Sequence, residues 1–267
     1  MDAIRSVLID IDGVLCVANA PIAGSIDALS HLRARGAGIR FITNTTRRTR
    51  AVIVAQMRQI GFDMAEHEVI SGALAARRII EQRALRPMLL IHPGLLPEFA
   101  GLDTSDPDAV LIGDAADGFS YAALNAAFRV LIEHPGAPLI ALANNRYFRG
   151  PDGLALDAGP YVAALEYAAG VRAEVTGKPA AAIFRTALDE LQCAPHDALM
   201  IGDDLESDIG GAQALGIRTA LVRTGKYRVA DEAHPHMRPD GVADDFARVV
   251  RDFVMPRLAP AASPRSV

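Results

Sequence analysis

Asp10 and Asp12 stand two positions apart at the end of the apolar run Val7-Leu8-Ile9, and Gly13 follows directly. In an extended chain residues i and i+2 face the same side, so both carboxylates point into one small volume. Two anions this close repel unless a cation holds them or one carries a proton. Either remedy is a chemical tool, since together they give one cation-bound nucleophile and one general acid. The plain alternative is a solvated acidic turn. A calcium loop of EF-hand type also begins Asp-x-Asp, but Val14 falls on its next ligand position and Pro21 where a bidentate glutamate belongs, which excludes it.

A second acidic group, Gly202-Asp203-Asp204-Leu205-Glu206-Ser207-Asp208, follows the apolar run Ala198–Ile201. If that run is a strand beside the first, Asp203 or Asp204 can share a cation with Asp10. An oxygen-only donor set suits Mg²⁺ rather than zinc or copper. Asp208, at the start of the next helical stretch, reads equally well as that helix's cap.

Two further segments suit an anion. Phe41-Ile42-Thr43-Asn44-Thr45-Thr46 offers a hydroxyl and main-chain amides, expected at a helix N-terminus. Thr176-Gly177-Lys178-Pro179 puts a lysine just before a helix expected to start at the proline, as a point charge for a phosphate oxygen. Only two of the 27 basic residues are lysines, Lys178 and Lys226. Arginine serves for generic surface charge, so each lysine draws attention where a compact ammonium is needed.

These residues need a scaffold, and the chain supplies alternating patterns for one. Short apolar runs at Ser6–Ile9, Gly38–Thr43, Met88–His92, Ala109–Ile112, Leu139–Ala143, Ala198–Ile201 and Thr219–Val222 read as strands. Between them Ile26–Arg35, Ala51–Ile60, Ala73–Arg83, Tyr121–Glu133, Pro160–Ala169, Ala181–Leu191 and Ile209–Leu215 read as amphipathic helices. Strand alternating with helix predicts an α/β fold with a mainly parallel sheet. Ligands bind such sheets at the carboxyl ends of the strands, where the acidic groups lie. Residues 77–174 carry strands and helices of their own while the chemistry flanks them, which predicts an inserted second domain within a core of residues 1–76 and 175–267.

Composition narrows the function. A chain of 267 residues, 51% hydrophobic and 22% charged, buries a core without a disulfide or metal staple. A net charge of −5 with no basic block argues against a nucleic-acid partner. Two cysteines cannot build a disulfide framework, and the apolar runs are too short for a membrane span. Aspartates inside the first apolar run are foreign to an export signal, so the chain is expected to be cytoplasmic. Among lesser features, His234-Pro235-His236 reads as a surface segment, His92 and His134 as turn markers, and Cys16 as a small buried apolar residue. Arg77-Arg78 reads as a solvated helix face and Pro256–Val267 as a frayed tail.

Together, Asp10-x-Asp12-Gly13-Val14, Thr43-Asn44, Gly177-Lys178-Pro179 and Gly202-Asp203-Asp204-x-x-x-Asp208 resemble the four motifs of the haloacid dehalogenase superfamily. The long insert between the second and third motifs is similar to the α/β cap of subfamily IIA. The resemblance implies a Rossmann-like three-layer core and phosphoryl chemistry. Asp10 would be the nucleophile that becomes an aspartyl phosphate, and Asp12 would protonate the leaving oxygen and then deprotonate water. Thr43, Asn44 and Lys178 would hold phosphoryl oxygens. Mg²⁺ would be held by Asp10, the Asp12 carbonyl and Asp203, with Asp204 or Asp208 in support. The cap segment 143–153 would lie where substrate is selected, and a homodimer formed through the cap is common in similar proteins.

The expected activity is therefore a Mg²⁺-dependent phosphatase acting on a small phosphorylated molecule, pyrophosphate or a phosphoramidate. Two other readings share the nucleophile. A phosphomutase would interconvert phosphosugar isomers. A receiver-like signalling module would keep its phospho-aspartate, against which Asp12 and the long insert both argue.

Overall fold

The computed structural model describes residues 3–150 and 153–259. Residues 151 and 152 of the cap segment and residues 260–267 of the expected tail lie outside them.

In chain order the strands are β1 (Ser6–Asp10), β2 (Cys16–Val17), β3 (Ala20–Pro21), β4 (Gly38–Thr43), β5 (Val69–Ser71), β6 (Pro87–Leu90) and β7 (Ala109–Ile112). They continue with β8 (Leu139–Ala141), β9 (Tyr147–Gly150), β10 (Gly153–Leu156), β11 (Glu174–Val175), β12 (Ala198–Gly202), β13 (Arg218–Val222) and β14 (Gly241–Ala243). The α-helices are α1 (Ser25–Ala34), α2 (Arg50–Gln59), α3 (Gly72–Gln82), α4 (Tyr121–Glu133), α5 (Gly159–Ala169), α6 (Ala181–Leu191), α7 (Gly211–Gln213) and α8 (Phe246–Val249).

The chain forms two compact units, one of Met1–Thr43, Ala51–Ile70 and Phe184–Val267, the other of Asn44–Arg50 and Ser71–Ile183. The first is built on a six-stranded sheet of order β14-β13-β12-β1-β4-β5. β1 pairs in parallel with β12, Ser6 opposite Ala198 and Ile9 opposite Ile201, and on its other side with β4, Asp10 opposite Ile42. β1 and β12 are buried along their whole length, as continuous apolar runs in a parallel sheet covered on both faces should be. Phe41, Leu29, Leu32, Val54, Met57 and Phe246 pack in one core with them. Each such side chain contributes about 1.5–3 kcal/mol by leaving water.

The second unit has a parallel sheet of order β11-β8-β7-β6. Alternation along β7 divides its two cores. Val110 and Ile112 pack with Leu131 of α4 and Val162 and Leu165 of α5, while Leu111 packs with Ile80 of α3, Leu95 and Phe99. β9 and β10 form a separate antiparallel hairpin.

Several local expectations are corrected. The stretch expected as a helix over 209–215 begins earlier, in a π-helical turn Leu205–Gly210 that α7 continues. α2 starts only at Arg50, so Thr43-Asn44 is not at a helix N-terminus. α6 starts at Ala181, two residues beyond Pro179, after a turn closed by the Ala180 N–H donating to the Gly177 carbonyl at 2.9 Å. Arg77 is no solvated face: its guanidinium donates to Glu81 and to the carbonyls of Glu98 and Ala100, tying α3 to the turn that follows Pro93.

Candidate active site

β1 and β12 run side by side in the same direction, so Asp10 and Asp203 leave the sheet at one end. The following π-helical turn brings Asp208 to the same place. Asp10, Asp203 and Asp208 are 7%, 1% and 0% exposed, and one carboxylate oxygen of each lies within 4.8 Å of the others. Three buried carboxylates at that spacing repel unless a cation sits among them or one of them carries a proton. All donors are oxygen, which fits Mg²⁺. Of the expected set, Asp10, Asp203 and Asp208 are brought together. Asp204 is not part of the group, and the Asp12 side chain is exposed.

Of the two readings open for Asp208, support of the acids or helix cap, the cap is set aside. Asp204 is the cap, its Oδ1 accepting from the N–H groups of Glu206 and Ser207 at 3.1 and 3.0 Å. Asp208 instead turns back, and its Oδ2 accepts from the N–H groups of Asp203 and Asp204, both at 3.2 Å. These bonds fix the turn that carries Asp203.

Asp203 sits between two glycines. A Cβ at Gly13 would lie 2.0 Å from Asp203 Oδ2, and one at Gly225 would lie 1.9 Å from it. Both glycines have positive φ, 91° and 58°. Thr224 donates its hydroxyl to the Gly13 carbonyl, and the Lys226 N–H donates to Asp203 Oδ2 at 2.7 Å. The segment 224–226 therefore latches the Asp10 loop to the Asp203 loop. Lys226 Nζ stands 3.1 Å from Asp204 Oδ2. Burial pushes the Lys226 ammonium down, but Asp204 first and then Asp203 and Asp10 outweigh it and hold its pKa above the ordinary lysine value. Sequence reasoning marked Lys226 as unusual without assigning it to the acids.

Thr43 ends β4, beside β1, and is 3% exposed. In the other unit, Asn44 and Lys178 are joined through main-chain hydrogen bonds, and Lys178 is 6% exposed. Along the segment 143–153, Asn144, Asn145, Arg146 and Tyr147 are exposed. Phe148 lies under the Arg47 guanidinium at 5.1 Å, and Arg47 pairs with Asp114. His234 is a turn residue whose Nδ1 accepts from the N–H groups of His236 and Met237. His92 likewise accepts from Gly94, and Cys16 is buried. Among the described residues no helix is long and apolar enough to cross a membrane.

Residues 7–104 match the family model "Haloacid dehalogenase-like hydrolase" and residues 175–249 a HAD-hydrolase-like model. The chain is 47% identical over 251 residues to the phospholysine phosphohistidine inorganic pyrophosphate phosphatase of Bos taurus, covering 92% of this chain and 93% of that one. In structure it is similar to a p-nitrophenyl phosphatase from Archaeoglobus fulgidus, with a TM-score of 0.85 at 25% identity over 94% of this chain and 99% of the other. It is also similar to a glycerol phosphate phosphatase from Mycobacterium tuberculosis in complex with magnesium, with a TM-score of 0.79 at 28% identity over 93% and 76%.

Proposed function

The chain belongs to the haloacid dehalogenase-like hydrolases and is a phosphatase of that family; from that premise we propose that it hydrolyses a small phosphorylated compound by way of an aspartyl phosphate on Asp10. The observation that carries this reading is the convergence of buried Asp10, Asp203 and Asp208 at the carboxyl ends of adjacent parallel strands.

An Asp10 carboxylate oxygen attacks phosphorus, and the bond from phosphorus to the leaving group breaks. Asp12 gives its proton to the leaving atom, then takes one from the water that cleaves the acyl phosphate, which returns Asp10 and releases inorganic phosphate. Splitting hydrolysis in this way replaces one difficult step with two easier ones. Thr43 and Lys178 through their side chains, and Asn44 through its main-chain N–H, are assigned to the phosphoryl oxygens by the motifs they occupy. Asp10, Asp203 and Asp208 would hold Mg²⁺, with the Asp12 carbonyl as a further oxygen; the bound ion would neutralise charge on the transferring group. Residues 77–174 are proposed as the cap that selects substrate and excludes water.

The 47% identity to a phosphatase named for phospholysine, phosphohistidine and pyrophosphate favours P–N and P–O–P substrates over simple esters. It also sets hydrolysis ahead of the phosphomutase and receiver-like readings. The test is phosphate release from a panel of phosphoramidates, pyrophosphate, phosphosugars and p-nitrophenyl phosphate, with Mg²⁺ and with chelator. Turnover only with Mg²⁺, and fastest on phosphoramidates or pyrophosphate, is expected. Equal turnover in chelator would remove the ion, and isomer interconversion without phosphate release would establish the mutase.

A further inference from the structure

Asn44 and Lys178 are joined twice. The Lys178 main-chain N–H donates to Asn44 Oδ1 at 2.7 Å, and Asn44 Nδ2 donates to the Lys178 carbonyl at 2.9 Å. One primary amide thus pairs with both main-chain polar groups of a single residue, as a neighbouring strand would. The partners are 134 residues apart in sequence, so this is a tertiary clamp and not a local turn.

The surroundings leave that clamp little freedom. A Cβ at Gly177 would fall 2.5 Å from the Leu142 carbonyl oxygen and 2.9 Å from Asn44 Oδ1, so the main chain entering Lys178 is seated against both. Thr176 donates its hydroxyl to the Gly72 carbonyl at 2.9 Å, and Ala180 closes the turn on Gly177. Lysine carries its charge on a flexible four-carbon stem, so the place its ammonium can reach is set first by where its main chain is held. Asn44 fixes that starting point with both halves of its side-chain amide.

We propose that Asn44 is a positioning residue for Lys178: its side-chain amide holds the lysine's main chain so that the ammonium meets a phosphoryl oxygen, and that amide is not itself a substrate ligand. The inference rests on the reading of Lys178 as a phosphate-binding residue.

The chain's two lysines make a direct test practical. Protein labelled with [ε-¹³C]lysine gives two side-chain signals, and Lys178→Met assigns them. Asn44→Ala is expected to lower kcat/KM for p-nitrophenyl phosphate on the order of 100-fold, the scale of a misplaced catalytic group. It is also expected to move the Lys178 signal and leave that of Lys226 in place. Asn44→Asp is nearly isosteric and keeps the acceptor for the Lys178 N–H but loses the donor; it is expected to fall between wild type and Asn44→Ala, and carries the test if the alanine variant does not fold. Unchanged turnover in these variants, or lost turnover with the Lys178 signal unmoved, overturns the inference. Undiminished turnover in Lys178→Met removes the underlying reading of the lysine, whereas its loss there alongside unchanged Asn44 variants removes the clamp alone.

Discussion

The Lys226 main-chain N–H meets Asp203 Oδ2 at 2.7 Å, so the loop after β13 is bonded to the acid that follows β12. The bond survives any substitution at residue 226 except proline, which separates the structural part of Lys226 from its charge. Lys226→Met keeps the main-chain bond and withdraws the ammonium from Asp204. An exposed pair of this kind is worth about 0–1 kcal/mol. With one cation fewer beside the acids, Mg²⁺ should bind more tightly, by less than about fivefold. Calorimetric titration of Mg²⁺ at low and high salt checks this; the difference should shrink as salt rises.

Asp10→Asn separates chemistry from stability. Turnover should fall by roughly 10⁴-fold or more, the scale reached when a covalent nucleophile is removed. The same change deletes one of three crowded buried charges, so without Mg²⁺ the variant should melt a few degrees higher, about 2–4 °C per kcal/mol for a chain of this size. Phosphate release and thermal unfolding in chelator report the two effects. A variant that is both inactive and less stable in chelator would contradict the charge-crowding argument.

Gly13→Ala should damage the acid cluster without touching a carboxylate. Its Cβ would stand 2.0 Å from Asp203 Oδ2 on a backbone with φ of 91°. Strain of this kind costs about 1–3 kcal/mol, and the carboxylate must move. The thermal stabilisation that Mg²⁺ gives the wild type should be lost or sharply reduced. Full retention of the Mg²⁺-induced shift would show that the Asp203 oxygen is not held where the two glycines bracket it.

Acid should weaken a clasp between Arg33 and Glu68 in the first unit. Arg33 donates to both oxygens of Glu68, at 2.6 and 2.7 Å, and the Ala65 N–H donates to Oε2 at 2.8 Å. Burial pushes Glu68 up, but the Arg33 hydrogen bonds, the Ala65 N–H and the guanidinium charge together hold its pKa below the usual glutamate value. A carboxylate with a lowered folded pKa stabilises the fold above its unfolded pKa, and that contribution disappears as pH falls through the folded value. Glu68→Gln should therefore cost about 3 kcal/mol at pH 7, the scale of breaking a largely buried pair, and progressively less in acid. Urea unfolding of both proteins across that range would show the two stabilities converging; a constant gap would assign the loss to packing.

Much of this was legible in the residue order, and the misses share physical causes. All seven expected strands form within two residues of their predicted ends, because a parallel strand buried on both faces is an unbroken apolar run. Of the strands not foreseen, β2, β3, β5, β11 and β14 have two or three residues each, too few for a period to show, and the hairpin strands β9 and β10 have four. The C-terminal helix beginning at Phe246 was overlooked although Phe246, Val249, Val250, Phe253 and Val254 keep helical spacing. Asp10 and Asp203 were findable because side chains at strand ends announce themselves. The reach of the Lys226 main chain to Asp203 was not, since an amide hydrogen carries no residue type. The exchange of tasks between Asp204 and Asp208 is hidden too: both are aspartates near one helix start, and residue order does not say which caps the turn and which faces inward.

The pairing of Ser6 with Ala198 also has a consequence for biosynthesis. About 190 residues of chain separate β1, in the middle of the first unit's sheet, from β12, so that neighbour emerges long after β1 has been made. At roughly 5–20 residues per second, that flank of the nascent strand stands open for on the order of 10–40 s. An open strand edge of such apolar composition is a template for pairing between chains. Slow or crowded synthesis should therefore reduce the soluble yield of this protein before any property of the finished fold comes into play.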